Sequence, residues 1–137
     1  MLDVGFWMLA VAGLSIVAGK GFRDLRVWQS GMDLVEEVYR LTKQFPKEEL
    51  YGLSNQVCRA AVSIPSNIAE GQARSHAREY LQFLAVAQGS LAEVQTQIEI
   101  AGRLKYLPGD EIRRLLERAA SVAKQLYALR NTLADGK

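Results

Sequence analysis

"SIPSNIAEG", residues 63–71, decides the fold, because a proline stands here inside a run of helix-forming residues. A proline within a helix removes one backbone hydrogen bond, and its ring crowds the carbonyl four residues back, here that of Ala61. If the helix stopped at Pro65, the chain would hold an extra loop, and two serines, an asparagine and a glutamate beside it would suit an active site. The apolar pattern argues otherwise. Val57, Ala61, Ile64 and Ile68 recur at steps of four, three and four straight through Pro65 without a change of phase. One kinked helix from Ser54 to Glu70 is therefore expected, with Ser54 as N-cap and Gly71 as the residue just past its end. Ser63 and Ser66 are expected to bond backbone groups loosened at the kink. Asn67 and Glu70, three apart, share a face and can meet.

Working outward, the preceding segment spans about residues 25–45. Trp28, Met32, Val35 and Tyr39 repeat at helical spacing and are expected to form its core stripe. Pro46 ends it, since the residue before a proline is pushed out of the α region. Gly31 costs about 1 kcal/mol relative to alanine in a helix, which marks a close helix contact. The third segment, residues 75–105, carries Tyr80, Leu84, Ala87, Leu91, Val94, Ile98 and Ala101 on one stripe. "YLPGD" at 106–110 breaks the chain, and Asp110 is expected to cap the fourth helix with Glu111 beside the positive dipole end. Ile112, Leu115, Ala119, Val122, Leu126, Leu129 and Leu133 complete that helix. No stretch alternates apolar and polar residues long enough for a strand. Residues 22–137 thus predict an all-α fold, an up-down-up-down antiparallel four-helix bundle with a kinked second helix.

Residues 1–21 are an apolar leader outside this pattern. "MLDVGFWMLAVAGLSIVAG" is apolar from Val4 to Ala18, lacks a positive n-region, and is shorter than the ~20 residues of a membrane span. Three readings stand open: an extension from a start codon placed too early, a weak membrane anchor or signal-like segment, or a helix packed on its own bundle or on a neighbouring subunit.

Composition narrows the chemistry. A chain of 137 residues that is 49% hydrophobic and 23% charged fits one globular domain. Such a domain buries roughly two thirds of its unfolded surface and needs no disulfide or metal. The lone Cys58 excludes an intrachain disulfide or a multi-cysteine zinc site, and the lone His76 excludes a centre with two imidazoles. "HARE", His76 to Glu79, reverses the Glu-x-x-His order of di-metal bundles. Cys58 and His76 fall on different segments without a third orienting residue. No catalytic residue, metal or cofactor is therefore expected, and no small-molecule substrate. Glu70, Glu93 and Glu99 with Gln88, Gln95 and Gln97 read as a polar network that fixes helix register or a subunit contact. A net charge of +2 permits a nucleic-acid partner without requiring one. The cations that carry this option are Arg74 and Arg78 near the third segment's start, and Arg113, Arg114, Arg118, Lys124 and Arg130 on the fourth. Arg23 and Arg26 precede the first helix. A solvated face with ion pairs to Glu111 and Glu117 is the plainer account of the same charges.

"CRAAVSIPSNIAEG" (58–71), "FRDLRVWQSGMDLVEEVYRLTKQFP" (22–46) and "GSLAEVQTQIEIAGRLKYL" (89–107) resemble the bacterial four-helix-bundle family of the 23S rRNA intervening sequence, also called the S23 ribosomal protein family. The likeness runs from Phe22 to Leu133. The family pattern has no apolar leader, which favours the extension reading. The resemblance implies a small cytoplasmic bundle assembled into a ring-like homo-oligomer, a pentamer, in a family whose members mostly lack an assigned activity. A more distant relative, the accessory protein of diversity-generating retroelements, uses a basic ring to bind nucleic acid and a reverse transcriptase. By that resemblance the expected partners are RNA or DNA and a reverse transcriptase or other protein, with the seven cations of the third and fourth segments as contacts. The alternative is a protein-interaction scaffold with no nucleic-acid binding. Ser63, Pro65, Ser66, Asn67, Glu70 and Gly71 form the family motif, expected to serve structure.

Overall fold

Four helices account for most of residues 21–136, the part of the chain that the computed structural model describes: α1 (Arg26–Thr42), α2 (Leu53–Gln72), α3 (Ala77–Arg103) and α4 (Gly109–Asp135). Short 3₁₀ turns at Phe22–Asp24 and Lys47–Glu49 lead into α1 and join it to α2. Each helix packs on its chain neighbour, and α1 closes the ring against α4, so that α1 stands diagonal to α3 and α2 to α4. Short connections force neighbours antiparallel, which gives the up-down-up-down bundle. The leader, with all three readings of it, lies outside the described residues. No described helix is long and apolar enough to cross a membrane.

The helix α2 runs unbroken through Pro65, and the stripe Val57, Ala61, Ile64 and Ile68 is buried along its length. Leu84, Ala87, Leu91, Val94, Ile98 and Ala101 do the same for α3, as do Leu115, Ala119, Val122 and Leu126 for α4. The first helix departs from expectation. Its core stripe is Val27, Gly31, Leu34, Val38 and Leu41, one residue out of step with Trp28, Met32, Val35 and Tyr39. Two adjacent stripes on α1 are both apolar, and only the position of its neighbours selects which one faces inward. Met32 and Tyr39 remain 39% and 48% exposed.

Helix ends also differ from the sequence reading. Ser54 sits inside the first turn of α2, with Gly52 at the N-cap and no side-chain cap of its own. The capping acceptor comes from the preceding turn: Leu53 donates its backbone N–H to Glu49 Oε1 at 2.9 Å, and Tyr106 donates its hydroxyl to Glu49 Oε2 at 2.7 Å. Pro108 takes the N-cap position of α4, so Asp110 lies with Glu111 in the first turn, where a carboxylate suits the dipole. Gly71 is a buried residue within α2, not its terminator. A Cβ there would stand 2.8 Å from Phe83 Cβ, so glycine is what lets α2 and α3 approach. At the end of α3, Tyr106 donates to the carbonyl of Ala101 and Lys105 to that of Gly102, with Lys105 at φ 62°. This is a Schellman closure with lysine at the left-handed position that glycine usually fills.

Candidate functional site: cations at two ends and an outer apolar seam

The motif around Pro65 ties helices together. Ser63 Oγ meets Ser90 Oγ on α3 at 2.7 Å, and Asn67 Nδ2 donates to both the carbonyl and the hydroxyl oxygen of Ser63, at 2.8 and 2.9 Å. Asn67 therefore turns toward Ser63 and not toward Glu70, whose carboxylate pairs with Arg74 at 3.1 Å. Ser66 is exposed. Pro65 is buried beneath Gly31 of α1, where an added Cβ would sit 3.7 Å from the proline ring and 3.6 Å from Ile64, an ordinary contact distance. Gly31 does mark a close helix approach.

The expected polar set does not form one network: Glu70 lies on α2 with Arg74, and only Gln97 and Gln88 reach neighbouring helices. Gln97, 6% exposed, donates to Glu93 at 3.2 Å and to Gln56 of α2 at 3.4 Å. Gln88 accepts from Arg130 Nη1 of α4. Gln95 is half-buried and Glu99 exposed. Cys58 lies beside Thr42 Oγ1 at 3.6 Å, whereas His76 is exposed at the start of α3, the opposite end of the bundle. Among the described residues, no three His, Cys, Asp or Glu side chains gather to hold a metal ion.

The seven candidate cations do not form one patch. Antiparallel packing sends Arg74, Arg78 and Arg130 to the end where α2 meets α3, together with Arg23 and Arg26. Arg113, Arg114 and Arg118 go to the other end, and Lys124 lies between. Three of the seven are engaged. Arg74 pairs with Glu70 and lies 4.9 Å over the Phe83 ring, and Arg130 holds Gln88. Arg114 pairs with Glu111 at 2.5 Å and reaches Glu37 of α1 at 3.8 Å. Glu37 also accepts from Arg40 at 2.8 Å, and this hydrogen bond is the main reason its carboxyl is held below the usual range. Arg78, Arg113, Arg118 and Lys124 make no ion pair within the described residues. On α4, Arg113 and Lys124 fall on the side opposite the buried Leu115–Leu126 stripe.

Of the apolar stripe expected in the core of α1, Trp28 and Val35 pack half-buried against the core, while Met32 and Tyr39 open to an outer surface. Trp28, Met32, Val35 and Tyr39 of α1 lie along Cys58, Val62, Pro65 and Ala69 of α2, which repeat at four, three and four. An open cleft of about 330 Å³ lies between Trp28, Met32 and Val35 on one side and Val62, Pro65 and Ala69 on the other. One turn further on, a cleft of about 590 Å³ is bounded by Tyr39, Phe45, Leu50 and Cys58, with Lys43 and Lys47 beside it. Together they make an apolar seam with knob spacing on both walls, the form of groove that receives a further helix or extended apolar segment.

Fold and surfaces together define an all-helical bundle with an outer apolar seam and dispersed cations. The chain belongs to the 23S rRNA-intervening sequence protein family, whose model matches residues 23–128. It is also similar to the crystal structure of a protein of unknown function from the S23 ribosomal protein family of Bacteroides thetaiotaomicron. That likeness has a TM-score of 0.69 at 17% identity, and covers 76% of this chain and 97% of the other, which speaks for a shared fold. No curated protein matches the chain.

Proposed function

We propose that this protein is a non-enzymatic cytoplasmic scaffold that assembles through its outer seam into a ring-like homo-oligomer, a pentamer, and binds RNA or DNA backbone through cations repeated around the ring. The observation that carries this reading is the separation of the two surfaces. The seam lies between α1 and α2, while the unpaired Arg113 and Lys124 point outward from α4, diagonal to α2. Subunits can meet along the first without covering the second. One copy offers few free cations, but copies arranged in a ring add their phosphate contacts through multivalency. Tyr127 is the one aromatic side chain of α4 and is exposed a turn from Lys124, so binding would follow the backbone, with few stacking contacts and little sequence preference.

The test is a titration of the protein with structured RNA and with duplex DNA at several salt concentrations, with the assembly mass read by light scattering. Binding that weakens steeply with salt, at a mass above one copy, is the expected result. A second reading draws on the pairing of Arg74, Arg114 and Arg130 with neighbours: a protein-interaction scaffold, with a reverse transcriptase or another protein as partner and the charges serving solubility. Absence of binding at low salt, with assembly intact, decides for that reading.

A further inference from the structure

We infer that the outer seam of one copy receives the outward face of α3 of the next copy, with Ile100 seated in the larger cleft and Gly89 against the smaller one. The inference rests on the proposed assembly through the seam and names the surface that meets it. A ring needs two different patches on every copy, because a patch that meets its own likeness closes a pair and stops. The seam is one patch, and three observations put the other on α3. The first is where the exposed apolar side chains gather. Met32, Tyr39, Leu50 and Val62 line the seam, and Val86, Ile100 and Leu104, at 52%, 41% and 52%, stand on the side of α3 turned away from its buried stripe. Apolar side chains gathered at that exposure mark a contact surface.

The second is Gly89, in the middle of α3 on the same outward side. Gly31, Gly71 and Gly102 each face a side chain of a neighbouring helix, whereas a Cβ on Gly89 would meet nothing within 4 Å. Glycine weakens a helix interior relative to alanine, so nothing within one copy accounts for it there. A helix of a second copy laid against α3 does account for it. Two helix axes come closest where the side chain between them is smallest.

The third is height and charge. Ser63 bonds Ser90 and Gln97 bonds Gln56, and both pairs set the same offset between α2 and α3. On that register Pro65 of the smaller cleft stands level with Gln88, next to Gly89. Ser54 of the larger cleft stands level with Glu99, next to Ile100. In a ring whose axis runs along the bundles, rotation from one copy to the next changes no height. The neighbour's Gly89 therefore arrives at the smaller cleft and its Ile100 at the larger. Lys43 and Lys47 border the larger cleft, and Glu99 arrives beside Ile100. None of these three makes an ion pair among the described residues. Opposite charges brought to one height steer the encounter and fix its register.

Two full-chain variants block one patch each: Met32→Glu with Tyr39→Glu on the seam, and Gly89→Glu with Ile100→Glu on α3. All four positions are exposed, and circular dichroism checks that the helices are kept. Met32→Gln alone and Ile100→Gln alone take their place if a double variant loses helix. Mass is read by light scattering over a hundredfold range of concentration, for the parent, for each variant and for their equimolar mixture. The expected result is a parent above one copy, each variant at one copy and the mixture at two. The intact seam of one variant takes the intact α3 face of the other, and the blocked patches stop growth there. An α3 variant that assembles like the parent overturns the inference and keeps the seam, as a contact between like patches. Two single-copy variants whose mixture stays at one copy also overturn it, because the two patches then do not meet. A parent at one copy throughout, or a seam variant that assembles like the parent, overturns the proposed use of the seam and this inference with it.

Discussion

Gly71 and Phe83 meet so closely that a Cβ on the glycine would stand 2.8 Å from Phe83 Cβ, with the Tyr80 carbonyl oxygen at 3.3 Å. Neither obstacle is the free end of a flexible side chain, so α2 and α3 must separate to admit a methyl group. Overpacking of this kind costs about 1–3 kcal/mol, enough to outweigh the ~1 kcal/mol that alanine gains in helix propensity. Gly71→Ala should lower the thermal midpoint measurably. Gly31 is the control, because its Cβ would find Ile64 and Pro65 at 3.6 and 3.7 Å. Gly31→Ala should be neutral or stabilising by up to about 1 kcal/mol. Calorimetry on the two variants checks the contrast, and equal effects would refute this account of the packing.

Much of this is legible in the sequence, and the rest is hidden for physical reasons. On α3 and α4 a single apolar stripe stands against polar residues, and the stripe is the core; on α2 the core stripe of Val57, Ala61, Ile64 and Ile68 is the longer-chained of two, beside Cys58, Val62, Pro65 and Ala69. On α1 two apolar stripes lie side by side, and nothing within α1 says that Leu34 turns inward and Met32 outward. The cap of α2 is invisible locally because its acceptor, Glu49, sits outside the helix, and the second partner, Tyr106, comes from the α3–α4 connection. Gly71 reads as a helix end because a glycine's local signal is the same whether it permits a turn or a close neighbour. For the cations, residue type, helix and an ion pair to Glu111 can be read from the chain, but not that Arg114 makes that pair and also reaches Glu37 of α1 while Arg113 makes none among the described residues.

Glu49 predicts the pH behaviour. The Leu53 backbone N–H, and after it the Tyr106 hydroxyl, hold its carboxyl below the usual range. A depressed carboxylate contributes stability that is present above its unfolded pKa and is lost as pH falls through the folded value. Tyr106 has the opposite sign: the bond to Glu49 raises its phenol, so its contribution is full below the unfolded pKa and fades as pH climbs past the folded one. Stability measured by urea unfolding should therefore fall at the acid edge and again at the alkaline edge. Tyr106→Phe should flatten the alkaline limb, and Glu49→Gln should flatten both. An acid limb unchanged in Glu49→Gln would locate the pH dependence elsewhere.

Lys105 holds φ 62° at the end of α3, where a side chain on Cβ crowds the following carbonyl. Glycine relieves that crowding and keeps both Schellman hydrogen bonds, which come from the backbone. Lys105→Gly should stabilise the bundle by about 1 kcal/mol, the left-handed penalty less the greater entropy of an unfolded glycine. A drop in the denaturant midpoint would mean that the lysine makes an interaction outweighing the strain.

The cations can be ranked, because an arginine already held by a carboxylate must give up that bond before it meets a phosphate. Arg113 and Lys124 make no ion pair among the described residues, whereas Arg114 sits 2.5 Å from Glu111. Removing one cation–phosphate interaction lowers the steepness of log affinity against log salt by about one. The variant Arg113→Gln, Lys124→Gln should therefore weaken RNA binding and flatten the salt dependence, at unchanged stability and assembly mass. Arg114→Gln should alter binding far less and cost a few tenths of a kcal/mol in stability, as exposed pairs do. If Arg114→Gln proves the more damaging to binding, the Glu111 bond breaks in the complex and the interface runs along the α1–α4 edge. If neither variant changes binding, the phosphates meet the opposite end, at Arg74, Arg78 and Arg130, and the ring would engage nucleic acid through the end where α2 meets α3.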